Sequence, residues 1–97
     1  MIAGDGDTPE SIAQDLEMSA WQIKKYNDLH IGHIEAGDII YIQPKRNKGI
    51  DSEYTVKSGD TLWKISQAQG IKLKKLLKLN DWEIDKPISI GQKIKLK

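Results

Sequence analysis

Residues 6–40 of this chain recur in residues 59–94, and that self-similarity limits what the chain can fold into more than any other feature. Gly6-Asp7-Thr8, followed by Ile12, Gln14, Asn27, Asp28, Ile31, Gly37 and Ile40, returns as Gly59-Asp60-Thr61, Ile65, Gln67, Asn80, Asp81, Ile84, Gly91 and Ile94. The offset is 53 residues as far as Ile31 and Ile84, and 54 from Ile34 and Ile88 onward, so the second copy carries one extra residue in the loop between. Regular recurrence of this kind means one structural unit used twice. A small duplicated unit favours a binding module over a catalyst.

The repeat divides the chain into a first unit at residues 1–43, a connector at 44–53 and a second unit at 54–97. Each unit, at about 44 residues, is near the lower limit for a chain that folds without staples, because so small a body buries little surface against its loss of chain entropy. The sequence has no cysteine, which removes disulfides, thiolate nucleophiles and cysteine-based zinc sites. Net charge is +1, yet residues 1–48 hold five Lys/Arg against eight Asp/Glu and residues 49–97 hold ten against six. A polyanion binder would carry a basic surface on both repeats, so nucleic acid is not the expected partner. No apolar run approaches the roughly 20 residues that cross a bilayer, and Met1-Ile2-Ala3-Gly4 lacks the basic and apolar regions of a signal peptide. Met1 to Ala3 reads as the first strand of the first repeat, which suggests a segment belonging to a longer exported protein.

Hydrophobic periodicity gives the elements of one repeat. Tyr54-Thr55-Val56-Lys57 and Lys93-Ile94-Lys95-Leu96-Lys97 alternate and read as strands. Between them, Leu62, Ile65 and Ala68 predict a helix over 62–69, and Leu73, Leu76 and Leu77 predict a second over 73–79, separated by Gly70. Thr8-Pro9 marks the start of the first helix in repeat one, since proline suits the first helical position and the threonine hydroxyl accepts from a free N–H; Thr61 is expected to do the same. The expected unit is strand, helix, helix, strand, an α+β fold with the end strands paired antiparallel and both helices on one face. The loops after each first strand and each second helix then lie together at one end.

The run Tyr54-Thr55-Val56-Lys57-Ser58-Gly59-Asp60-Thr61-Leu62-Trp63-Lys64-Ile65-Ser66, then Leu79-Asn80, then Ile90-Gly91-Gln92-Lys93-Ile94, strongly resembles the LysM domain. Residues 1–43 resemble a divergent copy that keeps Gly-Asp-Thr, the asparagine and the glycine but has Pro9 for Leu62 and Glu10 for Trp63. The resemblance implies two βααβ repeats that bind N-acetylglucosamine-containing glycans, peptidoglycan in preference to chitin, in a groove between the two loops. It also implies an extracytoplasmic location and a covalently attached upstream wall hydrolase such as a glucosaminidase or amidase. In repeat two the implied ligand-binding residues are Gly59, Asp60, Thr61, Leu62, Trp63, Asn80, Asp81, Trp82 and Ile84. The weaker second site comprises Gly6, Asp7, Thr8, Pro9, Asn27, Asp28, Leu29 and Ile31.

These residue types suit a neutral acetamido group, which needs a backbone donor, an acceptor and an apolar floor for its methyl. Each also has a plainer role. Gly59 and Gly6 are equally turn glycines. Asp60 and Asp7 orient the turn and favour the helix N-terminus. Asn80 and Asn27 are read as helix terminators that tolerate the left-handed conformation. Trp82 is either half-buried against its repeat or a platform for a sugar face, and Trp63 is either packing or groove rim. Leu29 replaces Trp82 in repeat one, while Trp21, Ile39 and Tyr41 align with Lys74, Lys93 and Lys95. Those apolar groups either meet a partner or pack within a shifted register.

Other chemistry finds little support. His30, His33 and Glu35 sit in a loop without a third histidine or cysteine, so no metal site is expected. Lys72, Lys74, Lys75 and Lys78 read as a soluble outer face, with attraction to anionic wall polymers as the sharper alternative. Asp81, Glu83 and Asp85 have no deep cleft to separate their pKa values. The expectation is a monomeric, non-catalytic glycan-binding segment that needs no cofactor and does not insert into membrane. The competing class is a protein-interaction scaffold that has lost glycan binding, above all in repeat one.

Overall fold

The computed structural model describes residues 1–29 and 34–97, and the chain forms two compact units, Met1–Lys45 and Arg46–Lys97. In the second unit, β1 (Glu53–Thr55), α3 (Leu62–Gln69), α4 (Leu73–Leu79) and β2 (Lys93–Lys95) follow one another, and α1 (Pro9–Asp15) and α2 (Ala20–Tyr26) are the helices of the first. Both helical spans of repeat two coincide with those expected from periodicity. The strands β1 and β2 pair antiparallel with Glu53 opposite Lys95, Tyr54 opposite Ile94 and Thr55 opposite Lys93.

In the first unit the corresponding pairing is reduced to a single antiparallel bridge, Ile2 opposite Ile39. Backbone bonds from Ile40 N–H to Met1 O (2.7 Å) and Ala3 N–H to Asp38 O (2.9 Å) extend it. By the repeat offset this is the Thr55–Lys93 pair, so the register is unshifted and Ile2 and Ile39 stand on the outer face, 61% and 39% exposed. Of the two alternatives for Ile39, packing within a shifted register does not hold.

The first helix of each repeat starts on a local cap. Thr8 Oγ1 accepts from Ser11 N–H (3.0 Å) and Thr61 Oγ1 from Lys64 N–H (3.1 Å), as the sequence indicated. At the other end α3 stops on Gly70, whose φ of 68° is left-handed. The corresponding residue of repeat one is Glu17, held at φ 56° without glycine's freedom.

The two cores differ in mass. The second gathers Val56, Leu62, Ile65, Ile71, Leu73, Leu76, Leu77, Ile94 and Leu96, with Tyr54, Trp63, Trp82 and Ile88 partly packed on it. The first has Ala3, Ile12, Ala13, Ile23 and Ile40, with Met18, Ala20 and Ile34 around it.

Part of the segment expected to be a connector is built into the second unit. Arg46 pairs parallel with Ile71, and its carbonyl accepts from Lys72 N–H (2.9 Å) while its own N–H donates to Gly70 O (2.8 Å). Gly49 N–H donates to Leu96 O, and Leu96 N–H donates to Ser52 O. Backbone groups buried or paired in this way do not behave as a tether. A methyl at Gly49 would come within 2.9 Å of Leu96 Cβ and 3.0 Å of Ile71 Cδ1. Gly49→Ala is therefore expected to cost about 1–3 kcal/mol by overpacking, seen as a lower urea midpoint for the second unit; an unchanged midpoint would mean the segment is not docked in solution.

Candidate functional site

The two loops of repeat two start from a shared base. Val56 N–H donates to Gln92 O (2.9 Å) and Gly91 N–H donates to Val56 O (2.8 Å), so the chain leaving β1 and the chain arriving at β2 are joined where the first loop begins and the second ends. Repeat one does the same with Ala3 N–H to Asp38 O and Gly37 N–H to Ala3 O, both 2.9 Å.

The first loop is shaped by Asp60 and Gly59. Asp60 Oδ2 accepts from Lys57 N–H (2.8 Å) and from the Tyr54 hydroxyl (2.6 Å), which closes the turn. The Tyr54 hydrogen bond, then the Lys57 N–H, hold the Asp60 carboxyl below its ordinary range, and the same bond raises Tyr54. Asp7 Oδ2 accepts from Gly4 N–H (2.8 Å), with Met1 in the place of the tyrosine. Gly59 and Gly6 have φ of 83° and 77°, and a side chain at either would meet nothing within 4 Å. The backbone at both turns thus faces open space.

The second loop is held at its root by asparagine. Asn80 Nδ2 donates to Leu76 O and Lys95 O (2.9 Å each), while its Oδ1 accepts from Lys95 N–H (2.8 Å). Asn27 repeats this with Ile23 O (2.8 Å), Tyr41 O (2.9 Å) and Tyr41 N–H (2.7 Å), and is fully enclosed. The asparagines do not adopt the left-handed conformation expected of them, since φ is −102° at Asn80 and −112° at Asn27. The next residue takes that step, Asp81 at 55° and Asp28 at 52°. The N–H groups of Trp82 and Leu29 then reach back to Leu77 O and Lys24 O (3.0 Å each), completing a helix-ending motif in which aspartate stands where glycine is usual.

The remaining site residues separate by exposure. Leu62 and Pro9 are buried in or against their cores, so their side chains are framework. Trp63 and Trp82 are half-buried, each packed on the core of repeat two, and Lys86 Nζ lies 5.8 Å from the Trp82 ring centroid. Ile84 is 57% exposed. Leu29 is half-buried, and Ile31, with His30 and His33, lies outside the described residues. Among the described residues no His, Asp and Glu gather in a group able to hold a metal ion, and no helix is long and apolar enough to cross a membrane.

One feature of repeat one left no trace in the periodicity. Lys45, its side chain fully buried, pairs with Asp28 at 2.7 Å and lies 5.9 Å from the Tyr41 ring centroid. Burial lowers the lysine from its ordinary value, and the Asp28 carboxylate partly offsets the shift. The partner of Asp28 comes from the expected connector, so its role was hidden by sequence distance.

A model of the LysM domain family matches residues 4–43 and 54–97. The chain is 34% identical over 99 residues to the probable peptidoglycan endopeptidase LytE of Bacillus subtilis strain 168, covering 95% of this chain and 29% of the relative. It is 31% identical over 100 residues to an autolysin of Enterococcus faecalis, covering 94% of this chain and 13% of that protein. Over 45 residues, 46% of this chain and 18% of the relative, it is 49% identical to the uncharacterized lipoprotein YgeR of Escherichia coli K12. The chain therefore spans less than a third of each of these relatives.

Two measurements test the site's framework. Asn80→Ala leaves Lys95 N–H and two carbonyls to water, and is expected to cost about 1–2 kcal/mol, read from chemical denaturation. Because the folded Asp60 carboxyl is depressed, its turn contributes stability above the ordinary carboxylate range and loses it as pH falls through the lower, folded value. The Lys57 amide resonance is expected to hold to mildly acid pH and move only below it, with Tyr54→Phe shifting the midpoint upward.

Proposed function

The chain belongs to the LysM domain family, and on that footing we propose that it is a non-catalytic binding segment for N-acetylglucosamine-containing glycan, peptidoglycan in preference to chitin. The observation that carries this reading is the open backbone at Gly59, beside the N-terminus of α3 and joined at Val56 and Gly91 to the loop that carries Trp82 and Ile84. Such a turn offers N–H and C=O groups to an acetamido group without a side chain in the way, and the indole and Ile84 supply apolar surface for the methyl and the sugar face. Gly59, Asp60, Thr61, Trp63, Asp81, Trp82 and Ile84 would line the groove, with Leu62 and Asn80 contributing backbone. Of the residues described, Gly6, Asp7, Thr8, Pro9, Asn27, Asp28 and Leu29 would form the weaker site.

The function is tethering. Two relatives are named as a probable peptidoglycan endopeptidase and an autolysin, and the chain matches only a fraction of each. A weak site on an attached hydrolase raises the enzyme's local concentration at the wall, and a second linked site multiplies residence where both engage. An extracytoplasmic location fits the same relatives. Repeat one admits a second reading as a protein-interaction surface, favoured by the exposure of Trp21 (63%), Ile2 and Ile39 where repeat two has Lys74, Thr55 and Lys93.

Titration with N-acetylglucosamine oligomers, followed by NMR, is expected to shift the amides of Gly59–Trp63 and Asn80–Ile84 first and those of Gly6–Pro9 less. No shift at millimolar oligomer would overturn the glycan reading and leave the interaction surface. Trp82→Ala is expected to weaken binding about tenfold through lost stacking, measured well below the thermal midpoint because the ring also packs on the core.

A further inference from the structure

We propose that Lys86 makes repeat two select glycans whose sugars carry a carboxylate, the muramic acid class with its lactyl ether, over neutral N-acetylglucosamine oligomers. This rests on the groove reading above and names which chemistry of glycan the groove prefers.

The Trp82 ring packs on the core of the repeat and its backbone N–H is tied to Leu77 O, so the platform is fixed. Lys86 is placed by a tight turn in the same loop, its N–H donating to Glu83 O (3.1 Å), and its exposed side chain carries Nζ to 5.8 Å from the ring centroid. Among the described residues no carboxylate pairs with that ammonium group; the ion pairs of the repeat's other cations, such as Lys93 with Glu53, lie elsewhere. Because that ammonium group lies over the ring, a sugar that stacks on the indole displaces it from the face and meets it at the sugar's edge. Contact between an exposed cation and a ring is weak enough for the lysine to swing from the indole face to the sugar's rim. A neutral oligomer offers nothing there to replace what the ammonium loses, whereas a lactyl carboxylate offers an ion pair.

The charges around the site point to a single carboxylate and not to a polyanion. Asp81, Glu83 and Asp85 are exposed on the same loop and repel a dense run of negative charge, while one carboxylate beside the ring has Lys86 next to it. Repeat one cannot share the preference, because Leu29 stands in the place of Trp82.

The test compares the whole chain with two oligomers of equal length, one of N-acetylglucosamine and one of alternating N-acetylglucosamine and peptide-free N-acetylmuramic acid, by NMR titration at low salt. The muramic oligomer is expected to bind repeat two about three- to fivefold more tightly, as one partly exposed ion pair allows. Methyl-esterifying its carboxylates, raising the salt, or the Lys86→Gln substitution should each bring the ratio of the two affinities to about one, and Lys86→Arg should keep it. Equal binding by the unmodified chain, or a ratio that persists in Lys86→Gln, overturns the proposal while leaving the groove reading intact. If neither oligomer moves Gly59–Trp63 or Asn80–Ile84, both fall together.

Discussion

One side-chain amide per repeat holds the candidate site together. Asn27 and Asn80 each join the last turn of a helix to both backbone groups of a residue on the returning strand, Tyr41 or Lys95. In effect the asparagine supplies a fragment of strand where the chain has none. The helix end, the left-handed aspartate after it and the start of the following loop are all positioned from that clasp, and in repeat one it is sealed from water. Removing it there would leave enclosed backbone groups unpaired, which costs more than the bonds themselves contribute.

On this shared frame the copies have diverged in opposite directions. Repeat two has a larger core, an added Tyr54–Asp60 bond and a docked segment at 46–52. Repeat one has alanines at 3 and 13 within its core, a single strand bridge and a glutamate held left-handed at position 17. Its Lys45–Asp28 pair, with the lysine side chain buried and the aspartate partly exposed, holds Asp28 at the cost of a desolvated ammonium group, a contact that fixes geometry more than it adds stability. The better-braced repeat is also the one whose second loop carries a tryptophan, Trp82, where the other has Leu29.

Much of this was legible in the sequence because it is local. The periodicity of Leu62–Gln69 and Leu73–Leu79, the caps at Thr8 and Thr61, and the turn glycines each depend on neighbours a few residues away. What escaped depends on distant partners. Asparagine after a helix reads as a left-handed stop, and only the strand 14 or 15 residues on reveals that its amide is a clasp and that aspartate takes the positive φ. The basic, glycine-containing stretch after Pro44 reads as linker by composition; its pairing with Gly70, Lys72 and Leu96 is a long-range fact. Leu62 falls with the site by its place in the motif, whereas its apolar side chain packs into the core.

The docked segment also separates two boundaries that are easily equated. Homology begins the second repeat at residue 54, whereas its hydrogen bonding begins at Arg46. Excising the repeat at the homology boundary would strip the cover from Ile71 and Leu96 and leave the Gly70 and Leu96 carbonyls and the Lys72 amide to water. Any graft of this module onto another protein should carry the eight preceding residues with it, as part of the cargo and not as spacer.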